Sequence, residues 1–186
     1  MSKQELLIGC GSNHVKQLRC DDSDDWTNVT TLDINPAHKP DIEWDLLDMP
    51  LPFPDNFFDE IHAYEVLEHT GAQGDYKFFF AQFSEFYRIL KAGGHLLVTV
   101  PSRHSVWALG DPSHTRILQP ESLVFLRQTS YEAVGQTAIS DFRGIYKADF
   151  DIVWVSDDKE TVRFILKAVK PSRIFGVPNE RPDDID

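Results

Sequence analysis

The sequence has little of what a disulfide-stabilised or membrane-spanning protein needs. Its 186 residues include two cysteines, Cys10 and Cys20. Neither belongs to a CxxC pair, so a disulfide framework is excluded and a reducing cytoplasm is expected. No apolar run reaches the ~20 residues of a transmembrane helix, and the first residues lack a signal-peptide pattern. We therefore expect a cytoplasmic globular protein without a membrane partner.

Basic residues are also scarce. The chain has 18 Lys and Arg against 30 Asp and Glu, a net charge of −12. Because phosphate binding relies on clustered Lys and Arg, this balance disfavours nucleic acid and leaves a small neutral or cationic molecule, or a protein, as the easier partner. The length suits one domain, which we place at residues 1–178, followed by an acidic flexible tail at 179–186.

Short apolar runs separated by helix-length segments predict an α/β fold. The predicted strands are residues 6–8, 29–32, 42–44, 58–64 and 95–100, with a terminal hairpin of 150–155 and 162–169. The predicted helices are residues 13–20, 75–90 and 120–127, the second ending at Ala92-Gly93-Gly94. This order predicts a Rossmann-like, doubly wound, mostly parallel sheet with helices on both faces and a C-terminal antiparallel hairpin.

The predicted helix 75–90 carries an aromatic run, Phe78 to Phe80. Together with Phe83 and Phe86 these rings recur at helical spacing. We interpret them as core residues rather than as a ligand-binding box.

Polar residues and glycines follow the predicted strands, at the edge where open parallel sheets bind their ligands. Gly9-Cys10-Gly11 follows the first strand, Asp33 the second, Asp45 the third and Glu65 the fourth. A glycine turn with an acid after the next strand also fits a dinucleotide site. However, the third glycine of that fingerprint is replaced by His14, so the dinucleotide interpretation is the weaker one.

Taken in order, these motifs resemble class I S-adenosylmethionine-dependent methyltransferases of the type-11 kind. The resemblance covers roughly residues 5–101. The matching stretches are residues 6–11, 32–36, 45–46, 51–56, 58–59, 65–69 and 87–94. The resemblance implies that Gly9, Cys10 and Gly11 approach the amino-acid part of S-adenosylmethionine and that Asp33 binds its ribose hydroxyls. The other implied cofactor contacts are Ile34 on adenine, Asp45 and Leu46 at the adenine amino group, and the Ala63 and Tyr64 backbone at the methionine end.

Methyl transfer requires a nucleophile in line with the methyl group, and a general base helps when the acceptor is a hydroxyl. The candidate catalytic residues, which follow the fourth and fifth strands, are His69, His114 and Asp111. The alternative interpretation is a capping turn at Asp111-Pro112 flanked by exposed histidines, and the sequence does not choose between the two.

A metal site is a further hypothesis. If residues 65–69 are helical, the spacing places Glu65, Glu68 and His69 on one face, where they could bind a divalent ion. The segment E-V-L-E-H resembles the metal-binding segment of ubiquinone-pathway O-methyltransferases and small-RNA 2′-O-methyltransferases. His104 or His114 could add a ligand. We favour the metal-free alternative, in which the acids stabilise a helix N-terminus.

The leading functional hypothesis is an S-adenosylmethionine-dependent methyltransferase that acts on an oxygen or nitrogen of a small molecule. One alternative is a non-catalytic cofactor-binding or regulatory member, because Leu7 stands where the family usually has an acid. The other is a metal-assisted RNA 2′-O-methyltransferase, which the charge disfavours. Because only five residues precede Leu6, we expect the cofactor's cover to come from elsewhere, for example from a homodimer partner.

Overall fold

A computed structural model describes residues 2–174. The predicted tail at 179–186 and the predicted domain end at 178 lie outside the described residues. Within them, no helix is both long and apolar enough to cross a bilayer. The strands are β1 (Glu5–Ile8), β2 (Val29–Asp33), β3 (Ile42–Glu43), β4 (Phe58–Tyr64), β5 (Leu90–Pro101), β6 (Phe150–Asp157) and β7 (Thr161–Ala168). The helices are α1 (Tyr76–Ile89) and the four-residue α2 (Trp107–Gly110), with 3-10 helices at Pro36–His38, Leu67–His69, Pro120–Leu126 and Gln128–Ala133.

All seven strands form one sheet in the order β3-β2-β1-β4-β5-β7-β6. The pairs among β1 to β5 are parallel, whereas β7 runs antiparallel to both β5 and β6. The predicted fold class is therefore confirmed. The strand order reverses at β1, so the carboxyl ends of β1, β2 and β4 meet at one point on the sheet edge, where ligands of such sheets bind.

The main core lies on the sheet face that α1 covers. Asp75 begins this helix, since its Oδ1 accepts a hydrogen bond from Phe78 N at 3.0 Å. The buried side chains of Phe80, Phe83 and Phe86 pack in one cluster with Leu6, Ile8 and other alternate residues of the central strands. The predicted helix is confirmed, and so is the predicted core position of these three rings. Phe79 is only partly buried.

The end of α1 differs from the prediction. The helix stops at Ile89, and Leu90 already pairs with Phe58 as the first residue of β5. Gly93, with φ 78°, lies inside β5, where the register shifts between Phe58 and Glu60. The glycines therefore accommodate an irregularity within β5 and do not cap the helix. Leu90, which follows the helix directly, is completely buried as the first residue of the strand.

The predicted helices on both faces of the sheet are wrong in one respect: among the described residues, a loop rather than a helical layer packs on the face opposite α1. The predicted helix 13–20 is wrong, because this segment crosses the face as an irregular loop. Val15 is 64% exposed rather than inward-facing, and Leu18 alone of the predicted pair packs on Leu7 and Tyr64. Local side-chain bonds compete with helix formation here, as when Asn13 Oδ1 accepts from Val15 N at 3.1 Å. The predicted helix 120–127 is likewise replaced by a 3-10 helix at Pro120–Leu126.

Charged groups buried beneath this loop anchor it to the sheet. Lys16 Nζ lies 2.7 Å from Glu5 Oε1 and 3.6 Å from Glu60 Oε2, with all three side chains at most 2% exposed. His62 Nε2 donates to Glu60 Oε2 at 3.0 Å, and Tyr64 Oη donates to His62 Nδ1 at 2.6 Å. The backbone N of Leu18 in turn donates to Tyr64 Oη at 3.1 Å. These buried contacts hold the segment against the sheet in its loop conformation.

Candidate active site

A cavity of about 440 Å³ opens at the carboxyl ends of β1, β2 and β4. This first cavity is lined by six of the nine predicted cofactor residues: Gly9, Gly11, Asp33, Ile34, Asp45 and Leu46. The other three do not line it, and their predicted contacts with the cofactor stay predictions. The side chain of Cys10 packs with Leu7 and Tyr64 on the loop-covered face, and Ala63 and Tyr64 are buried within β4. The next two residues, Glu65 and Val66, line the cavity in their place.

The glycine turn after β1 has a different requirement at each glycine. Gly9 has φ 58°, and a Cβ atom added there would lie 2.3 Å from Val66 Cγ2. Gly11 has φ 53°, and an added Cβ would meet nothing within 4 Å. Both positions need left-handed backbone, which glycine adopts without steric cost. Only Gly9 also needs the absence of a side chain.

Asp33 is positioned by the turns on either side of it. Gly11 N donates to Asp33 Oδ2 at 2.9 Å, and Asn35 N donates to Asp33 Oδ1 at 2.8 Å. His38 Nδ1 lies 3.3 Å from Asp33 Oδ2. Burial acts to raise the pKa of Asp33, but the hydrogen bonds from Asn35 and Gly11 outweigh it and hold that pKa below its ordinary value. The residue is therefore a carboxylate that can accept hydrogen bonds from a diol.

Sequence reasoning missed several residues of the first cavity, namely His38, Trp44, Leu47, Val66 and Thr70. His38 ends the 3-10 helix that Asn35-Pro36 begins, with Asn35 Oδ1 accepting from Ala37 N at 3.0 Å. The Asn-Pro pair is a local signal for such a turn. The other four are apolar or small residues next to predicted ones, and no pattern in the sequence marks them.

A second cavity of about 340 Å³ shares Glu65 and His69 with the first. It is lined by Glu65, Glu68, His69, Pro101, Ser105, Trp107, Asp111, His114, Glu160 and Thr161. The three predicted catalytic residues therefore come together in one cavity. Because the two cavities meet at Glu65 and His69, ligands bound in each would be neighbours.

Glu68 and two histidines form a compact cluster in the second cavity. His69 Nε2 and His114 Nε2 each lie 4.0 Å from Glu68 Oε1, and the two rings pack edge to face with centroids 4.6 Å apart. Glu68 is 2% exposed, and neither of its carboxylate oxygens has a hydrogen-bond partner. Burial raises the pKa of Glu68 to about 8. An unpaired buried carboxylate beside two imidazoles is a donor set suited to a divalent ion.

The predicted metal set differs from this cluster in one member. The segment Leu67–His69 is a short 3-10 helix rather than an α-helix, and Glu65 has left-handed backbone with φ 50°. Glu65 is exposed and is not part of the cluster, whereas His114 is. The premise that Glu65, Glu68 and His69 share a helical face is therefore wrong. Glu68 lies in the first turn of the 3-10 helix, and the metal-free alternative stays a prediction.

A chain of hydrogen bonds orients His69. Asp111 Oδ1 accepts from Ser113 Oγ at 2.5 Å, and His69 Nδ1 lies 3.1 Å from that Oγ and 3.3 Å from Ser113 O. Since the hydroxyl proton points to Asp111, His69 Nδ1 must be the donor to Ser113. A neutral His69 then carries its lone pair on Nε2, the atom that faces Glu68. This tautomer makes Nε2 available as a base or as a metal ligand.

Comparisons with known proteins bear on the family and the fold of this chain. Residues 6–98, half of the chain, match the family model described as a methyltransferase domain. A probable S-adenosylmethionine-dependent methyltransferase of Mycolicibacterium smegmatis is 35% identical over 106 residues, which are 54% of this chain and 38% of that protein. The chain therefore spans well under half the length of this curated relative.

Solved structures share the fold at low sequence identity. A SAM-dependent methyltransferase from Archaeoglobus fulgidus superposes with TM-score 0.55 and 16% identity, covering 89% of this chain and 86% of that one. The N-methyltransferase NodS from Bradyrhizobium japonicum superposes with TM-score 0.52 and 14% identity, covering 91% and 87%. The ordered motifs, the fold and the match over half of the sequence lead to one conclusion: this chain belongs to the methyltransferase domain family.

Proposed function

We propose that this chain is an S-adenosylmethionine-dependent methyltransferase that methylates an oxygen or nitrogen of a small molecule. The observation that carries the proposal is the junction of the two cavities at Glu65 and His69. The first cavity holds the family's cofactor motifs, and the second holds the basic and acidic side chains that an acceptor would need. When bound, the cofactor supplies an electrophilic methyl group on a sulfonium.

The residues of the chain divide the remaining work between binding and proton transfer. Asp33 accepts hydrogen bonds from the ribose, and the turn at Gly9 to Gly11 lets backbone approach the amino-acid part. His69 Nε2 removes the acceptor's proton, while Ser113 and Asp111 hold the ring in the required tautomer. His114, whose side chain is 7% exposed, lies 3.9 Å from Asp111 and is the second candidate base.

Binding of S-adenosylhomocysteine, measured by calorimetry, tests the cofactor assignment. Asp33→Asn should weaken binding by roughly 10- to 100-fold, because hydrogen bonds to a charged group are each worth about 1.5–3 kcal/mol. Asp48→Asn, an exposed acid that does not line the first cavity, is the matched control and should bind normally. Equal affinities for both variants, or no binding by the folded wild type, would contradict the assignment.

We propose as a second candidate that a divalent ion assists this reaction, held by Glu68, His69 and His114. The unpartnered oxygens of Glu68 favour it, since a bound cation would pair with a buried carboxylate that otherwise has no partner. The ion would orient an acceptor hydroxyl. The net charge of −12 still argues against an RNA acceptor.

Titration of chelator-treated protein with Zn²⁺ and Mn²⁺, followed by calorimetry, tests the ion separately from activity. His114→Asn should reduce affinity by about 10-fold or more, because each imidazole supplies a full coordinate bond. His104→Asn, which changes a histidine outside the cluster, should leave affinity unchanged. If chelator changes neither the metal content nor the activity, the proposal of a metal ion is contradicted, and His69 acts as the base without an ion.

A further inference from the structure

A third cavity, of about 250 Å³, lies beside the first turn of α1 and is separate from the two cavities described above. Its walls are mainly aromatic, from Tyr76, Phe79, Phe80, Phe125 and Phe142. Phe142 contacts three of these rings, with centroid distances of 5.7 Å to Tyr76, 4.8 Å to Phe80 and 5.6 Å to Phe125. Apolar walls of this kind bind the apolar body of a small ligand.

Two charged residues line the aromatic cavity: Arg116, which is 5% exposed, and Asp75, whose Oδ1 accepts a hydrogen bond from Phe78 N at the start of α1. Arg116 Nε donates to Leu67 O at 2.8 Å and its Nη2 donates to Thr70 Oγ1 at 2.9 Å and to Gln82 Oε1. Its Nη1 is buried and has no hydrogen-bond partner among the described residues. All of its acceptors are neutral, although the ring of Phe78 lies 5.7 Å from the guanidinium carbon.

This arrangement is costly unless a ligand completes it. A buried cation without an anionic partner loses hydration that neutral acceptors replace only in part. Glu68 and Asp75 act on the charge of Arg116 from a distance, and neither forms an ion pair with it. A guanidinium with an unpaired N–H suits the oxygens of a carboxylate or a phosphate, and of the two the carboxylate brings the smaller charge into an apolar cavity.

We propose that the aromatic cavity binds a small aromatic carboxylic acid, with its ring among the phenylalanines and its carboxylate on Arg116. Thr70, which accepts from Arg116, also lines the first cavity. The acid would therefore lie one hydrogen bond from the cofactor's walls. This site is separate from the second cavity, where the proposed function places the methyl acceptor, so binding of the acid does not rest on that function.

Titration of the full chain with benzoate and with benzamide, followed by two-dimensional NMR, tests the site. The two probes share size and shape and differ in charge. Benzoate should give saturable shifts in residues 72–80 and 116–125, and benzamide should bind at least about tenfold more weakly, since a charge-assisted pair is worth about 1.5–3 kcal/mol. Equal binding of the two probes, or no saturation by benzoate up to about 20 mM, would overturn the proposal.

Two variants locate the site. Arg116→Gln should remove the preference for benzoate, provided that its spectrum shows a folded protein. Ser140→Trp adds a ring at an exposed wall residue, keeps Arg116, and should abolish benzoate binding while the fold is retained. Ser23→Trp, an exposed serine that lines none of the three cavities, is its control; benzoate binding that survives in Ser140→Trp would overturn the proposal.

Calorimetry with S-adenosylhomocysteine on the same samples separates the two claims. Benzoate binding without cofactor binding would leave the acid site standing and the proposed reaction unsupported. Cofactor binding without benzoate binding would remove the acid site and leave the reaction untouched.

Discussion

At the scale of single residues, the sequence predicts the groups that carry charge or lack a side chain, and it misses those that contribute only shape. Gly9, Gly11, Asp33 and Asp45 were predicted from their places after strands, and all four line the first cavity. Trp44, Leu47 and Val66 line it too. Their role depends on how three loops fold against one another, which no spacing rule encodes. The metal cluster follows the same rule: His114 was predicted as a possible added ligand and joins Glu68 and His69, whereas Glu65, predicted on the assumption of a helix, is not part of the cluster.

His62 should make the stability of the protein depend on pH. Burial is the largest influence on this ring and lowers its pKa below the usual 6.5, despite the neighbouring Glu60 carboxylate. Because the unfolded chain then binds more protons, the stabilising contribution is fully present above pH 6.5 and is lost as pH falls toward the folded-state pKa. Denaturant unfolding between pH 7.5 and 5 should show the free energy of unfolding falling by up to about 1.4 kcal/mol per pH unit from this group.

The variant His62→Gln tests the source of that slope. It should lower stability at pH 7.5 by removing the hydrogen bonds to Glu60 and Tyr64, and it should flatten the pH dependence below 6.5. His14→Gln, at an exposed histidine, should keep the wild-type slope. A slope that is unchanged in His62→Gln would assign the pH dependence to other groups.

At the scale of elements, strands and the long helix follow from apolar periodicity, whereas the connection between β1 and β2 does not. The strands were predicted to within a few residues because buried parallel strands are continuous apolar runs. Residues 13–20 also show helical spacing of Val15 and Leu18, yet they form a loop. The loop conformation is stabilised by contacts with distant buried residues: Lys16 pairs with Glu5 and Glu60, and Leu18 N donates a hydrogen bond to Tyr64. A local sequence pattern does not predict contacts between residues that are distant in the sequence.

Lys16→Met should therefore destabilise the whole sheet rather than the loop alone. The change leaves the Glu5 and Glu60 carboxylates buried with less compensating charge, and the loss of one partner from a buried ionic group costs about 3–5 kcal/mol. Urea unfolding measures the effect. Lys77→Met, at an exposed position on α1, is the matched control and should change stability by no more than about 0.5 kcal/mol. A similar small effect for Lys16→Met would show that Lys3, which lies 2.7 Å from Glu60 Oε1, compensates.

At the scale of the whole molecule, the order of motifs along the chain carries most of the information. Each motif alone is common, but their sequence fixes which strand ends meet, and the observed strand order places them at one edge of the sheet. The order of the motifs does not predict which elements cover each face of the sheet. A homodimer that covers the first cavity and a cytoplasmic location stay predictions, and a light-scattering measurement of molar mass would check the first.

Cofactor binding should stabilise the molecule as a unit, because the first cavity joins β1, β2 and β4. S-adenosylhomocysteine at 100 times its dissociation constant should add about 2.7 kcal/mol. For a chain of this length that corresponds to a rise in Tm of roughly 5–10 °C in a thermal shift measurement. Asp33→Asn at the same ligand concentration should show a smaller rise. A rise of equal size in both proteins would mean that the ligand binds elsewhere.

The unequal surroundings of the two glycines after β1 have a consequence for how this chain can diverge. At Gly11 the neighbouring space is empty, so asparagine or aspartate, which tolerate left-handed backbone, are accessible steps in sequence drift. At Gly9, any residue with a side chain would also require Val66 to move. Val66, like Glu65, lines the first cavity just after β4. A side chain at position 9 therefore requires a smaller or displaced side chain at position 66, which couples two positions that lie 57 apart in the sequence.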